Sequence, residues 1–392
     1  MPLKKMVFKP GVNREVSRYT SEPGWYECDK VRFRGGYPEK IGGWQRISSS
    51  TFLGVCRSLS SWVTLGIIQY IGVGTHLKFY LEEGAAYNDI TPLRATTSAG
   101  DVTFAATNGS STLTVTDSSH GAVEDDFVTF TGAASLGGTI TAEVLNQEYQ
   151  VAELVNANSY KITAKNPSTG VAVAANASDS GNGGSSVVGK YQITTGQAYE
   201  VPAVGWGAGT WGGGTWGTGL SSTENIRLWS QAQFGEDLVF GPRDGPVYYW
   251  DATNGLSTRA VALTSLSGAS DVPTTQRMVF VSDVSRFVFC TGTNVLGSGT
   301  TDPMLIRWSD QESVTNWTPA ATNQAGDLRL SKGTEIVSAR QSREEILVWT
   351  DSSLYSLQYQ GPPAVWGANL VVDNVSIASQ NAVAHSNGVS FW

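Results

Sequence analysis

The chain has 392 residues, with 44 Gly and 13 Trp, only 15% charged residues and a net charge of −8. Sparse charge with abundant Gly, Thr, Ser and Val excludes long amphipathic helices and disorder, and it suits strands joined by tight turns. Apolar runs such as 65–68 are too short to span a bilayer, and Lys9, Pro10 and Asn13 break up any signal-peptide core, so assembly in a cytoplasm without membrane insertion is expected.

The chain starts basic and continues acidic. Residues 1–57 hold eleven Lys/Arg against five Asp/Glu, an asymmetry that points to partners of complementary charge. Composition then divides the sequence into three. Residues 1–95 are rich in Trp, Tyr and Arg, residues 96–195 contain no Trp or Cys, and Trp returns from position 206 onward. This predicts an N-terminal segment with the first part of a β domain in 1–95, an inserted β domain in 96–195, and the continuation of the interrupted domain in 196–392.

In chain order, the first hairpin is expected as strands 66–70 and 77–81 around a turn at 72–75. Further copies pair 238–240 with 247–250, 278–281 with 286–290, and 345–350 with 354–359. A last copy begins at 382–384, turns at 386–388 and stops at Trp392 inside its second strand, so the natural product is expected to be longer. Such hairpins cannot bury both faces alone, and their repetition reads as blades of a β-propeller, although a β-sandwich shows the same local alternation. The expected fold class is therefore all-β: a propeller-like domain, incomplete at its C-terminus and interrupted by a small β domain. Within the insertion, strands are predicted at 102–104, 112–115, 127–130, 147–154 and 160–164. The low-complexity stretch 171–186 is expected to be a mobile loop.

The sequence offers little chemistry. His76, His120 and His385 are far apart and lack metal-ligand spacing, and no GxSxG elbow, phosphate loop or dinucleotide fingerprint is present. Cys28, Cys56 and Cys290 are odd in number and widely spaced, so they read as small core residues rather than disulfides. The cluster Glu124, Asp125, Asp126 lacks a glycine-punctuated calcium loop and reads as a solvated turn. No catalytic residue, cofactor or metal is predicted, and the chain is not expected to be an enzyme. Trp206, Trp211 and Trp216 recur every five residues between glycines. Such indoles can stack on bases or sugars, but no Lys or Arg lies between Lys190 and Arg227. These three tryptophans, with Arg14, Arg32 and Arg34, are therefore candidate contacts to another domain or subunit.

Three blocks carry resemblances. Ser309, Asp310, Thr315 and Trp317 are similar to the Asp-box turn of sialidase-type propellers, with Ser313 at the turn glycine and Asn316 splitting Thr from Trp, and they read as a blade-stabilising turn. At the N-terminus, Pro10, Gly11, Val12, Asn13 and Arg14 are followed by Gly24, Trp25, Tyr26, Glu27, Cys28 and Asp29. The run continues through Arg32, Phe33, Arg34, Gly35, Gly36, Tyr37 and Pro38 to Gly42, Gly43 and Trp44. With Ile306, Arg307, Trp308, Ser309 and Asp310, then Asn323 to Asp327, then Glu345 to Asp351 and Tyr359 to Pro363, this resembles tail nozzle proteins of short-tailed bacteriophages. The insertion is outside the resemblance.

The resemblance implies a homohexameric ring in the virion tail. Such a ring continues the channel below the portal-adaptor ring, carries tail fibre or spike proteins, retains packaged DNA and conducts it during ejection. Double-stranded DNA would pass through the lumen without sequence specificity. The basic start could dock on an acidic adaptor surface, and an acidic channel wall would let phosphates slide. Two alternatives stand beside it. One is a glycan-binding or glycan-cleaving propeller, which needs an arginine cluster or paired carboxylates at a central depression. The other is a host-receptor-binding tail protein, with the Trp-Gly stretch or the insertion at an exposed tip.

Overall fold

A computed structural model describes residues 8–15, 17–20, 23–43, 45, 48–196, 226–283, 285–343, 345–386 and 388–392. It divides between Ser49 and Ser50 into two compact units.

The first unit is organised by one hairpin, β1 (Val31–Arg34) with β2 (Tyr37–Lys40). Gly35 and Gly36 both have positive φ, +58° and +87°, as a two-residue hairpin turn requires. Phe33 lies 6.1 Å from the Trp25 ring, which in turn lies 5.7 Å from Phe8, so the inward face of the hairpin is aromatic.

Among its described residues the second unit is all-β apart from single helical turns, and its sheets are small, antiparallel and propeller-like. The first blade is a four-stranded meander: β3 (Cys56–Val63), β4 (Gln69–Thr75), β5 (Phe79–Glu83) and β6 (Ala86–Asp89). The chain then leaves for an insertion made of two sheets. One has the order β11-β10-β14-β7, from β7 (Leu93–Thr96), β10 (Phe127–Thr131), β11 (Glu148–Gln150) and β14 (Val188–Gln192). The other has the order β12-β13-β9-β8, from β8 (Thr103–Ala106), β9 (Thr112–Thr116), β12 (Glu153–Asn156) and β13 (Ser159–Thr163). A single helical turn, α1 (Ala142–Leu145), lies between β10 and β11 of the first of these sheets, with the Thr141 hydroxyl capping Val144 N.

Three further four-stranded meanders follow. The second blade is β15 (Trp229–Phe234), β16 (Asp237–Pro242), β17 (Tyr248–Trp250) and β18 (Val261–Ala262). The third is β19 (Met278–Val281), β20 (Val288–Thr291), β21 (Leu305–Trp308) and β22 (Gly326–Arg329). The fourth is β23 (Ile336–Gln341), β24 (Ile346–Thr350), β25 (Ser353–Gly361) and β26 (Val365–Asp373). A two-stranded hairpin, β27 (Ala384–Ser386) with β28 (Val389–Phe391), comes last.

Three of the apolar cores among the described blade residues are shared by neighbouring blades. Trp62, Tyr70, Phe79 and Leu81 of the first blade meet Trp229, Phe240 and Trp250 of the second. Val239 and Val247 of the second meet Val279, Cys290 and Trp317 of the third, and Phe289 and Trp308 of the third meet Ile346 and Trp366 of the fourth. Burying one such large aromatic stabilises the fold by roughly 4–6 kcal/mol before entropic costs. β4 comes close to β15 because Gly72 and Gly74 have no side chains. A Cβ on Gly74 would lie 2.5 Å from the Trp229 ring, and one on Gly72 would lie 2.1 Å from Gln231 Oε1. The expected turn at 72–75 is therefore corrected. These glycines sit inside β4 and open space between blades, while the turn falls at 76–78, where Thr75 Oγ1 accepts from Leu77 N and Lys78 N.

The insertion differs from its sequence reading in two places. The expected strand 147–154 is two strands, β11 and β12, that belong to different sheets, because the chain crosses the core at the buried Val151. The stretch 171–186 has little regular structure but is tied down rather than loose. Gly181 N bonds Leu136 O, Phe104 N bonds Asn182 O, and buried Asp179 accepts from Asn176 N, Ile140 N and Thr139 Oγ1. Its low complexity reflects small residues fitted against a wall.

Candidate functional site

In the first unit, Arg32 and Arg34 occupy alternate, exposed positions of β1 and so share its outward face. Arg32 pairs across the hairpin with Glu39 at 3.1 Å. Arg14 pairs with Glu27 at 3.2 Å and lies over the Tyr26 ring. Two of the three candidate arginines are thus locally neutralised, and Arg34 has no ion pair among the described residues. Trp206, Trp211 and Trp216 lie outside the described residues.

The first strands of the blades, β3, β15, β19 and β23, together with 380–381, surround a central cavity of about 500 Å³. Arg57 reaches it from the first blade and Arg340 from the fourth, and Ser58, Ser60, Gln231, Gln380 and Asn381 supply neutral polar groups. Arg340 Nη2 donates to Gln380 O and Asn381 Oδ1, both at 3.3 Å, and burial lowers its pKa. Gln231 Nε2 donates to Ser58 Oγ at 2.7 Å, which joins the first two blades at the cavity wall. Among the described residues, no carboxylate lines it. Sequence reasoning missed this site, because its two arginines stand 283 positions apart, at 57 and 340, in first strands of different blades. Only an alignment of blade against blade could have paired them.

A second cleft, of about 490 Å³, lies where the insertion meets the first blade. His76, Glu124, Asp125, Asp126, Thr194 and Arg227 line it. Asp126 is not the solvated turn residue expected. It is buried, and burial raises its pKa despite hydrogen bonds from Val123 N and Thr194 Oγ1 and the charge of Arg94. Burial and Arg57 hold His76 below its ordinary pKa. Among the described residues, no group of three or more His, Cys, Asp and Glu is placed to hold a metal ion.

Beside this cleft runs an ion network. Lys78 Nζ contacts Asp89 Oδ2 at 2.7 Å and Glu148 Oε1 at 2.5 Å, and Arg259 reaches the same two carboxylates at 3.1 and 3.5 Å. It ties the first blade, the insertion and the second blade together. Burial alone would raise the Asp89 carboxyl, but Lys78 and Arg259, with hydrogen bonds from Lys78 and Thr91, outweigh it and leave the pKa lowered.

The remaining sequence candidates take structural places. Cys290 is buried between blades, but Cys28 and Cys56 are only half-buried, so the reading of all three as core residues holds for one. His120 is buried and accepts from Ala122 N, and His385 bonds Ser390 across the last hairpin. The Asp310 loop connects β21 to β22. There the carboxylate accepts from Gln311 N at 2.9 Å and Gln324 N at 2.8 Å, while Trp317 is buried below. Among the described residues, no helix is long and apolar enough to cross a membrane.

Neither a protein-family model nor a curated protein sequence matches the chain. Among solved structures, the endosialidase of phage phi92 is similar at 12% identity and a TM-score of 0.24, over 91% of this chain and 53% of that one. Hsv2p of Kluyveromyces lactis gives 11% identity and 0.27 over 84% and 76%. The uncharacterized protein lmo1340 of Listeria monocytogenes EGD-e gives 9% and 0.23 over 86% and 90%. The chain spans about half the length of the phage enzyme. Overlaps this low identify neither a shared fold nor an activity.

Proposed function

We propose that the chain is a structural subunit of the tail nozzle of a short-tailed bacteriophage, a non-enzymatic virion component. In this reading six copies form a ring that docks on the portal-adaptor ring and carries fibre or spike proteins. The ring retains packaged double-stranded DNA and conducts it without reading its sequence. The observation that carries the proposal is that two resembling blocks, in consecutive blades, form one joined region. The block at 306–327 builds β21, the Asp310 loop and β22, and the block at 345–363 builds the β24–β25 hairpin. Tyr359 Oη donates to Gln324 Oε1 at 2.7 Å, which ties the second block to the first.

The remaining resembling block is the β1–β2 hairpin, whose exposed Arg32 and Arg34 face could meet an acidic adaptor surface. Native mass spectrometry and electron microscopy of the purified chain, alone and with the adaptor of its phage, test the proposal. A six-fold ring with a DNA-width channel is expected. A monomer at all concentrations that hydrolyses capsular polysaccharide would overturn it.

A further inference from the structure

We propose that the central cavity binds the carboxylate-bearing unit of an acidic sugar. The site has three properties that together select this chemistry. First, the charged residues described in its lining are Arg57 and Arg340, which come to it from different blades, with no Asp or Glu among them. Arg340 has only a main-chain carbonyl and an amide oxygen as partners, both at the long distance of 3.3 Å, and pairs with no carboxylate among the described residues. A partly buried guanidinium without a counter-charge is costly, and a bound carboxylate supplies that charge in the two-pronged geometry a guanidinium matches best.

Second, the other polar groups are neutral. Ser58, Ser60 and Asn381 can each donate and accept, which suits sugar hydroxyls that do the same. Inorganic phosphate near neutral pH carries more acceptors than donors and matches that paired capacity less well than a polyol does. Third, the cavity is large: about 500 Å³ lies in the range of small-molecule sites and exceeds what a single oxyanion fills. The exposed side chain of Leu59 adds an apolar wall for the face of a sugar ring. The site lies within one chain, so it stands or falls independently of ring assembly.

The test is calorimetric titration of the full chain with N-acetylneuraminic acid, glucuronic acid, glucose and inorganic phosphate at one ionic strength. At least one acidic sugar is expected to bind ten-fold or more tightly than glucose and phosphate. Arg340→Gln should abolish that preference, and Arg340→Lys should restore part of it. Ser60→Tyr, which fills the cavity and removes no charge, should block binding, and it decides the matter should the Arg340 variants not fold. The proposal is overturned if neither acidic sugar binds, if phosphate binds as tightly, or if either cavity variant, once folded, binds like the parent.

Discussion

The two sheets of the insertion bury Phe104, Phe130, Tyr149, Tyr160 and Tyr191 around a core that, among the described residues, is drawn from 102–191 and holds no tryptophan. The blades instead fill four smaller cores with Trp229, Trp250, Trp308, Trp317, Trp349 and Trp366, and three of those cores are shared between neighbouring blades. The insertion also buries a polar chain at its centre: the Tyr160 and Tyr191 hydroxyls bond at 2.9 Å and Tyr191 donates to Asp117 at 2.6 Å. Burial first, then these neighbours, raises the Tyr191 pKa, so the phenol stays protonated and serves as a structural donor. The difference separates a self-contained core from an interdependent one. Damage inside the insertion should stay local, whereas damage between blades should spread.

That contrast breaks first, and hardest, at Trp229. Its ring packs on Phe79 at 5.0 Å, and its Nε1 donates to Thr75 O at 2.7 Å, so one side chain closes the gap between the first two blades. Trp229→Ala should cost about 5 kcal/mol, the upper end for a buried aromatic. Hydrogen exchange should show lost protection in β4, β5 and β16 alike. Phe130→Ala, in the insertion, should cost about 3–5 kcal/mol. Its exchange should rise in β8 to β14 while β15 to β26 keep their protection. Equal loss in both regions would show that the insertion core is not independent.

Local chemistry made part of this legible in the sequence. The hairpins at 238–250, 278–290 and 345–359 follow from strand alternation and turn residues, and they lie close to β16–β17, β19–β20 and β24–β25. Gly72 and Gly74 misled because glycine marks turns in a single strand of text, whereas here it lets a neighbouring blade approach. β7 and β14 were not anticipated at all. They pair with each other across the mouth of the insertion, and that pairing joins positions about ninety residues apart. The candidate sites divide the same way. Arg14 and Arg32 could be picked out as cations, but their neutralisation by Glu27 and Glu39 depends on the fold of the unit. The central cavity depends on blade arrangement alone.

A weaker break lies at the junction of the two regions. Lys78→Met leaves Asp89 and Glu148 with Arg259 as their remaining counter-charge, so the cost should sit near the low end for a broken buried pair, about 3 kcal/mol. The pH dependence sharpens the point. Asp89 is held below its unfolded value of roughly 3.9, so its contribution is complete above that pH and is lost as pH falls through the depressed folded value. Without Lys78 the folded pKa of Asp89 should rise toward the unfolded one. Stability measured by urea titration should then fall less steeply on acidification than in the parent, and identical acid limbs would refute the assignment.

The smallest effect tests whether the blades are repeats in chemistry as well as in shape. In the first blade, Thr75 Oγ1 accepts from Leu77 N and Lys78 N and donates to Lys78 O. In the fourth, Thr350 Oγ1 accepts from Ser352 N and Ser353 N and donates to Ser353 O. Both threonines are fully buried at the same turn of their meanders, between second and third strands. Valine keeps the shape and removes the hydroxyl, leaving the turn N–H groups without their acceptor, at a cost of about 1–2 kcal/mol. Thr350→Val and Thr75→Val should therefore shift the urea midpoint by similar amounts. A much larger shift at Thr75 would mean that its turn is sustained by the adjoining insertion and Trp229 rather than by its own hydroxyl. The self-contained and interdependent regions would then be coupled at that one position.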